Sequence, residues 1–147
     1  MKTKPYDGKI YLVFGLVVLA ISLIVAGTSA YSIFSVEPKV RLLLDSENEA
    51  DWRRAYVALR EPQVFAGYDN FDRESMGVKR LLSFFDEAVY SGTGIASDQL
   101  QYLELLLERR HSGSVLGFKS AAFCLIVSIL SFVMFVAEIL SARKNRA

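Results

Sequence analysis

Cysteine and histidine are almost absent from this chain, whose 147 residues include one of each. One cysteine cannot form an intramolecular disulfide, and together the two residues cannot supply a zinc finger, a Cys/His metal cluster or a bis-histidine haem site. The sequence also lacks a glycine-rich phosphate loop, a G-x-S-x-G motif and a Cys/His nucleophile pair. We therefore expect a protein that is not an enzyme and that uses no metal or other cofactor.

An excess of charge of either sign is also lacking, since the formal net charge is +1 and charged residues make up 22% of the chain. This balance removes the electrostatic basis of nucleic-acid binding, and 12% aromatic residues argue against disorder. Hydrophobic residues instead reach 52%, and the mean hydropathy of +0.30 is too high for an ordinary soluble domain. The composition predicts a membrane protein that has lipid, and not nucleic acid, among its partners.

Two runs without charged residues are long enough to cross a bilayer. The first covers residues 10–36, and its 27 residues at about 1.5 Å each exceed the roughly 30 Å hydrocarbon core. The second has 18 uncharged residues between Lys119 and Glu138, and apolar residues lengthen it on both sides. We predict transmembrane helices at 10–34 and 115–140, which makes the chain an all-α membrane protein with a two-helix hairpin.

A cleaved secretory signal is the alternative explanation of the first run. Three lysines precede the run, and residues 28–30 resemble a small-residue cleavage site. Residues 10–26, however, already form an uncharged stretch of 17 residues, whereas the apolar region of a signal has about 7 to 15. We therefore expect the first helix to be retained as a membrane anchor.

Positive charge is concentrated at the two ends of the chain. Residues 1–9 have a net charge of +2 and residues 141–147 of +3, whereas residues 35–114 have −4. Because cytoplasmic segments of membrane proteins carry the excess of Lys and Arg, both tails are predicted to be cytoplasmic and the central segment extracytoplasmic. That segment has no cysteine and no Asn-x-Ser/Thr sequon, which fits a bacterial periplasm. We expect a bacterial inner-membrane protein with a periplasmic domain.

The central segment, residues 35–114, has the periodicity of helices and not that of strands. Pro38 is expected to break the helix that forms the first span. Ser46 with Glu49 three residues later resembles a capping box, and the helix that it opens is expected to end at Pro62. The segment is therefore predicted to form a small helical domain.

Further along the chain, residues 63–70 are expected to form a loop, Asp72 to cap the next helix, and residues 111–113 to end the last one. Residues 91–94, with the sequence SGTG, separate the last two helices of the domain. So short a connection makes the apolar stripes of two helices face each other, which predicts an αα-hairpin. The core candidates of this αα-hairpin are Leu81, Phe85, Leu103 and Leu106.

Small residues recur at helical spacing in both predicted spans. Since lipid provides no hydrophobic force between helices, close packing across small side chains and hydroxyl hydrogen bonds must hold spans together. One stripe can pack within the hairpin and the other on a neighbouring subunit. The alternative is that these small residues occur in the spans by chance and have no role in packing. The candidate packing residues are Ser22, Ala26 and Ala30 in the first span and Ser120, Cys124 and Ser128 in the second.

Glu138 and His111 are the remaining candidates for chemistry. Glu138 is the only acid in either span, and an ionisable group at membrane depth suggests an ion or proton site. Its closeness to Arg143 and Lys144 favours instead an interfacial carboxylate that pairs with its own tail. His111 could relay protons or bind a ligand, but at a predicted helix end it is better explained as a cation that stabilises the helix dipole.

These patterns predict a non-enzymatic integral membrane protein that acts as an accessory or structural subunit of a larger membrane complex, through its helical domain and its small-residue stripes. A homo-oligomeric channel, or a pore-forming effector of the holin or immunity kind, is the alternative, because it shares the layout of two spans and an external domain. Spans without a polar stripe argue against a water-filled pore. A third hypothesis is a sensor of a small periplasmic ligand, for which the sequence offers no output domain.

Overall fold

The computed structural model describes residues 7–61 and 73–144, and within these ranges the chain is helical with no strand. The predicted all-α class is confirmed. The expected loop at residues 63–70 and the expected N-cap at Asp72 lie outside the described residues. The elements, in chain order, are α1 (Asp7–Tyr31), a π-helical turn (Ser32–Val36), α2 (Glu37–Leu44), α3 (Glu49–Leu59), α4 (Arg73–Ser91), a 3-10 turn (Ser97–Gln99) and α5 (Leu100–Lys144).

Two helical runs are long and apolar enough to cross a membrane. Gly8–Leu44 comprises 37 residues and Ser97–Lys144 comprises 48. Only 17% and 11% of the residues in their most apolar stretches are buried, whereas the core helix of a soluble protein is mostly buried. Both runs could therefore span a bilayer, as the sequence predicts.

The chain divides into two compact units. The first, here named the span unit, contains Met1–Ala26 and Phe118–Ala147. The second, the central unit, contains Gly27–Gly117 and therefore includes the whole of the predicted domain at 35–114 together with the last residues of α1.

The core of the central unit is one cluster of apolar side chains supplied by the π turn and by α2, α3, α4 and α5. Phe85 and Leu103 are fully buried in it, Leu106 is buried beside them, and Leu81 packs against it while partly exposed. The four residues that helical periodicity predicted as core candidates are therefore buried in the core or packed against it. Other fully or nearly fully buried members are Val36, Val40, Ala55, Tyr56 and Ile95.

Helix α4 ends at Ser91, the first residue of the predicted connection 91–94, immediately before Gly92. Gly92 has φ of +71°, a left-handed conformation that glycine adopts without the steric cost of a Cβ and that commonly ends helices.

The start of α3 differs from the prediction, because Asn48 and not Ser46 is the N-cap and accepts from the N–H of Ala50. The Ser46 hydroxyl instead donates to a carboxylate oxygen of Asp51.

Two predicted helix ends are wrong. The helical run continues through Pro38, which lies in the first turn of α2 directly after the π turn, a position where a missing N–H is tolerated. Helix α5 runs 45 residues without a stop at residues 111–113. There the Ser114 hydroxyl donates to the carbonyl of Arg110 at 2.9 Å, and both side chains are buried. Packing therefore overrides the local stop signals, and His111 lies inside a helix and not at its end.

Candidate functional site

Polar side chains are buried together in the central unit. Ser32, Glu37, Arg110 and Ser114 are each at most 6% exposed, and His111 lies beside them at the surface. Buried polar groups are costly unless they are hydrogen-bonded, so such a group is either a structural network or a binding site. We name these five residues the buried polar cluster.

Arg110 on α5 is the centre of this cluster. Its Nε donates to the hydroxyl of Ser32 in the π turn at 2.8 Å, and its Nη1 donates to the carbonyls of Leu59 at 3.1 Å and Glu61 at 3.0 Å, with a weaker contact to that of Ala58 at 3.5 Å. The last carbonyls of a helix have no partner within the helix. The guanidinium therefore caps the C-terminal end of α3 and ties it to the π turn.

The charge of Arg110 is balanced by its surroundings. Burial lowers the pKa of its guanidinium, while the nearby carboxylates of Glu61 and Glu37, and Tyr31 to a smaller extent, act in the opposite direction. An arginine in a protein nevertheless keeps its proton, since its pKa stays far above neutral pH. A cation at the end of α3 is also favoured by the negative end of that helix dipole.

Glu37 and His111 form the second part of the cluster. Oε2 of Glu37 lies 2.8 Å from Nδ1 of His111, and because an ionised carboxylate can only accept, Nδ1 is the donor. Oε1 of Glu37 is buried and has no hydrogen-bond partner in the part of the chain that the structure describes. A carboxylate that orients an imidazole is also found around metals, but no group of three His, Cys, Asp or Glu residues that could hold a metal occurs among the described residues. The arrangement therefore orients the imidazole of His111.

A second polar link joins α3 to α4. The buried hydroxyl of Tyr56 donates to a carboxylate oxygen of Asp86, and lies 3.2 Å from the carbonyl of Leu82. Burial, the hydrogen bond to Asp86 and the negative charge of Asp86 raise the pKa of Tyr56 well above its usual value. The ring of Tyr56 lies 5.3 Å from that of Phe85, centroid to centroid, so the link is embedded in the apolar core.

Two of the predicted packing residues join the two long helices within the span unit. The Ser22 hydroxyl donates to the carbonyl of Ala121, and the Ser128 hydroxyl donates to the carbonyl of Gly15, both at 2.8 Å. A methyl group at Gly15 would lie 3.2 Å from Cβ of Ser131, tighter than ordinary packing. The helices thus approach closely where small residues face each other. The other four candidates, Ala26, Ala30, Ser120 and Cys124, are partly buried.

Glu138 is partly buried in the span unit beside the first turn of α1. A methyl group at Gly8 would lie 2.8 Å from its Oε2. The free N–H groups and the positive dipole end at a helix N-terminus favour a carboxylate at this position. The carboxylate thus lies beside the first turn of the facing helix α1.

Sequence reasoning missed the roles of Arg110 and Glu37, although each carries a signal. Arg110 follows Leu103 and Leu107 by seven and three residues, so it lies on the buried stripe of α5. Glu37 precedes Val40 by three residues and lies on the buried face of α2. A charged residue in register with an apolar stripe indicates a buried, paired charge.

No protein-family model matches this chain, and no curated protein and no solved structure is significantly similar to it.

Proposed function

We propose that this protein is a non-enzymatic subunit of a larger membrane complex, in which it has an accessory or structural role. In this proposal it crosses the bacterial inner membrane twice as a helical hairpin, both termini are cytoplasmic, and the central unit is a periplasmic domain. Its partners are lipid and other membrane-protein subunits, or further copies of itself.

The observation that carries the proposal is how the central unit distributes its polar and apolar groups. Arg110, Ser32 and Tyr56 are turned inward and used in hydrogen bonds between helices. Tyr102 and Leu105, one turn apart on α5, are exposed instead, as is Tyr90 on α4. A small domain whose buried polar groups bond to its own helices, and which exposes aromatic and leucine side chains, is suited to contact with another protein. We name Tyr102 and Leu105 the docking face.

The span unit supports the same proposal. The hydroxyls of Ser22 and Ser128 hold its two helices to each other by donating to backbone carbonyls of the facing helix. Large apolar side chains such as Val17, Leu23 and Ile129 are exposed and meet lipid or a neighbouring subunit. This arrangement argues against the channel, because the hydroxyls of Ser22 and Ser128 are already hydrogen-bonded between the two helices and do not line a water-filled path.

Purification of the full chain in mild detergent, followed by native mass measurement, tests the proposal. We expect a co-purifying subunit, and we expect the double variant Tyr102→Ser, Leu105→Ser to lose it. Val57→Ser is the matched control, since Val57 is an exposed apolar residue on α3. A solitary monomer would contradict the proposal, and a ring of identical chains that conducts ions in liposomes would favour the channel.

The orientation is tested by thiol labelling in intact cells, in a background where Cys124→Ser removes the single native cysteine. Cysteine introduced at Ser91 should react with a membrane-impermeant reagent, and cysteine introduced at Ala147 should not. Reversed labelling would contradict the topology, and a mature chain that begins at Tyr31 would show that the first helix is a cleaved signal.

A further inference from the structure

The helical segment from Tyr31 to Leu42 exposes large apolar side chains although it belongs to the central unit. Phe34 is 77% exposed, Leu42 is 74% exposed and Tyr31 is 55% exposed. The opposite side of the same segment is buried and supplies core residues. Those buried residues are Ser32, Val36, Glu37 and Val40. The segment therefore has exposed apolar side chains on the side that the core of the central unit does not cover.

The exposed side of this segment is also basic. Lys39 and Arg41 are exposed, whereas the acid between them and the aromatic residues, Glu37, is buried and bound to His111. This positive charge is local, because residues 35–114 as a whole have a net charge of −4. We name the exposed set Tyr31, Phe34, Lys39, Arg41 and Leu42 the interfacial face.

The position of this face in the chain indicates what covers it. It begins within the last residues of the first uncharged run, residues 10–36, and extends past that run to Leu42. The helical run Gly8–Leu44 is about 55 Å long at 1.5 Å per residue. That length exceeds the roughly 40 to 45 Å of a bilayer with its headgroup layers. Aromatic side chains with neighbouring lysine and arginine are the residues that proteins place at the membrane–water boundary, where the rings lie among the headgroups and the cations reach phosphate.

We propose that the interfacial face is a phospholipid-binding surface in the headgroup layer of the extracytoplasmic leaflet, with Lys39 and Arg41 selecting anionic headgroups. This inference rests on the membrane insertion in the proposed function and adds a lipid contact beyond the predicted end of the span at residue 34. Phe34 and Leu42 are about 12 Å apart along a helix axis, whereas a headgroup layer is about 5 to 8 Å thick. Both can lie within it only if the segment runs obliquely to the membrane, and π turns and prolines are where helices bend.

The test uses the full chain with Cys124→Ser and one fluorescent label, on cysteine introduced at Phe34, at Leu42 or, as control, at Val57. Val57 is exposed and apolar in the same unit but lies on α3. The purified protein is reconstituted in phosphatidylcholine vesicles that contain a lipid with a nitroxide in its headgroup. We expect quenching by this lipid to be several-fold stronger at the first two labels than at the third, and quenching by iodide in water to show the opposite order. A label at Leu42 that iodide quenches as strongly as the label at Val57 would overturn the proposal.

The selection of anionic lipid has its own comparison. With nitroxide-labelled phosphatidylglycerol in place of phosphatidylcholine at equal mole fraction, the label at Leu42 should be quenched several-fold more. The double variant Lys39→Gln, Arg41→Gln should lose this preference, while Arg53→Gln, Arg54→Gln on α3 removes the same charge and should keep it. Equal quenching by both lipids in the unmodified chain would overturn the role of the two basic residues.

The outcomes also separate this proposal from the proposed function. Protein that fails to float with vesicles at alkaline pH is not inserted, which contradicts both. Inserted protein whose label at Leu42 is shielded from iodide only at high protein density in the membrane would show that a second copy covers the face, and would overturn the lipid proposal alone. Lipid quenching in a chain that purifies without any partner would support the lipid contact and contradict the subunit role.

Discussion

Replacing Arg110 by alanine should destabilise the central unit more than any other single loss of charge in it. The change removes the donor from Ser32 and from the carbonyls at the end of α3, and removes the guanidinium charge that acts on Glu37. Buried acceptors that lose their donor cost about 1 to 3 kcal/mol each, and breaking a buried charged network costs about 3 to 5 kcal/mol. Since Arg110 itself is no longer desolvated in the variant, we expect a net loss of about 3 to 5 kcal/mol, a large fraction of the stability of a small domain.

Two further substitutions at this position separate packing from hydrogen bonding. Arg110→Met keeps the apolar stem against the core but has no donor, so it should recover only part of the loss. Arg110→Lys keeps the charge, but an ammonium on a flexible stem cannot reproduce the planar fork that reaches Ser32 and α3 together, and it should be intermediate. Arg54→Ala is the control, because Arg54 is exposed and pairs with Asp51 on its own helix, a type of ion pair that contributes less than about 1 kcal/mol.

The assay is urea unfolding of the full chain in detergent micelles, followed by the fluorescence of Trp52. Trp52 is the only tryptophan, is buried in the core of the central unit, and donates from Nε1 to the carbonyl of Ser46 at 2.7 Å. Its emission therefore reports on this unit. An Arg110→Ala variant that unfolds at the same urea concentration as Arg54→Ala would refute the reasoning that the guanidinium holds α3 to the π turn and α5.

Three other substitutions test the core, the alkaline stability and the contact between the long helices. Phe85→Ala should cost about 3 to 5 kcal/mol in the same urea assay because Phe85 is fully buried, whereas Tyr90→Ala, at an 88% exposed position, should be within about 0.5 kcal/mol of the unmodified chain. Because the folded state raises the pKa of Tyr56, the unfolded chain loses this proton at lower pH than the folded chain. The free energy of unfolding should therefore be constant below about pH 10 and fall as pH rises beyond it. Tyr56→Phe should remove that fall, and an unchanged alkaline slope in this variant would contradict the role of the Tyr56 hydroxyl. Gly15→Leu should weaken the association of the two long helices by about 1 to 3 kcal/mol, because a Cβ at this position would lie 3.2 Å from the facing helix. The measurement is thermal stability in detergent, and Gly27→Leu is the control, since a Cβ at Gly27 has open space around it. Equal effects of the two variants would show that the helices do not approach closely at Gly15.

The features that were predictable from the sequence are those that depend on short stretches of chain. The helical class follows from the apolar period of residues such as Leu81, Phe85 and Leu103, and each of these residues lies in or against the observed core. The two long apolar helices follow from uncharged runs, because the length needed to cross a bilayer is a local property of the sequence. The end of α4 at Ser91 follows from Gly92, since the left-handed conformation is a property of one residue.

What depends on partners distant in the chain was decided by the tertiary structure alone. Ser22 and Ser128 were visible as small residues, but their acceptors lie 99 and 113 residues away on the facing helix. Residues 111–113 were expected to end a helix, yet α5 continues, since a local preference of about 1 kcal/mol or less for a glycine or serine is small beside the contacts of a packed helix. The helical run also continues through Pro38, because that proline lies in the first turn of α2, where its missing N–H is tolerated. The register of Arg110 with Leu103 and Leu107 indicates a buried charge but does not show which groups it binds. Only the convergence of the π turn and the end of α3 upon it supplies the acceptors that allow a guanidinium to be buried.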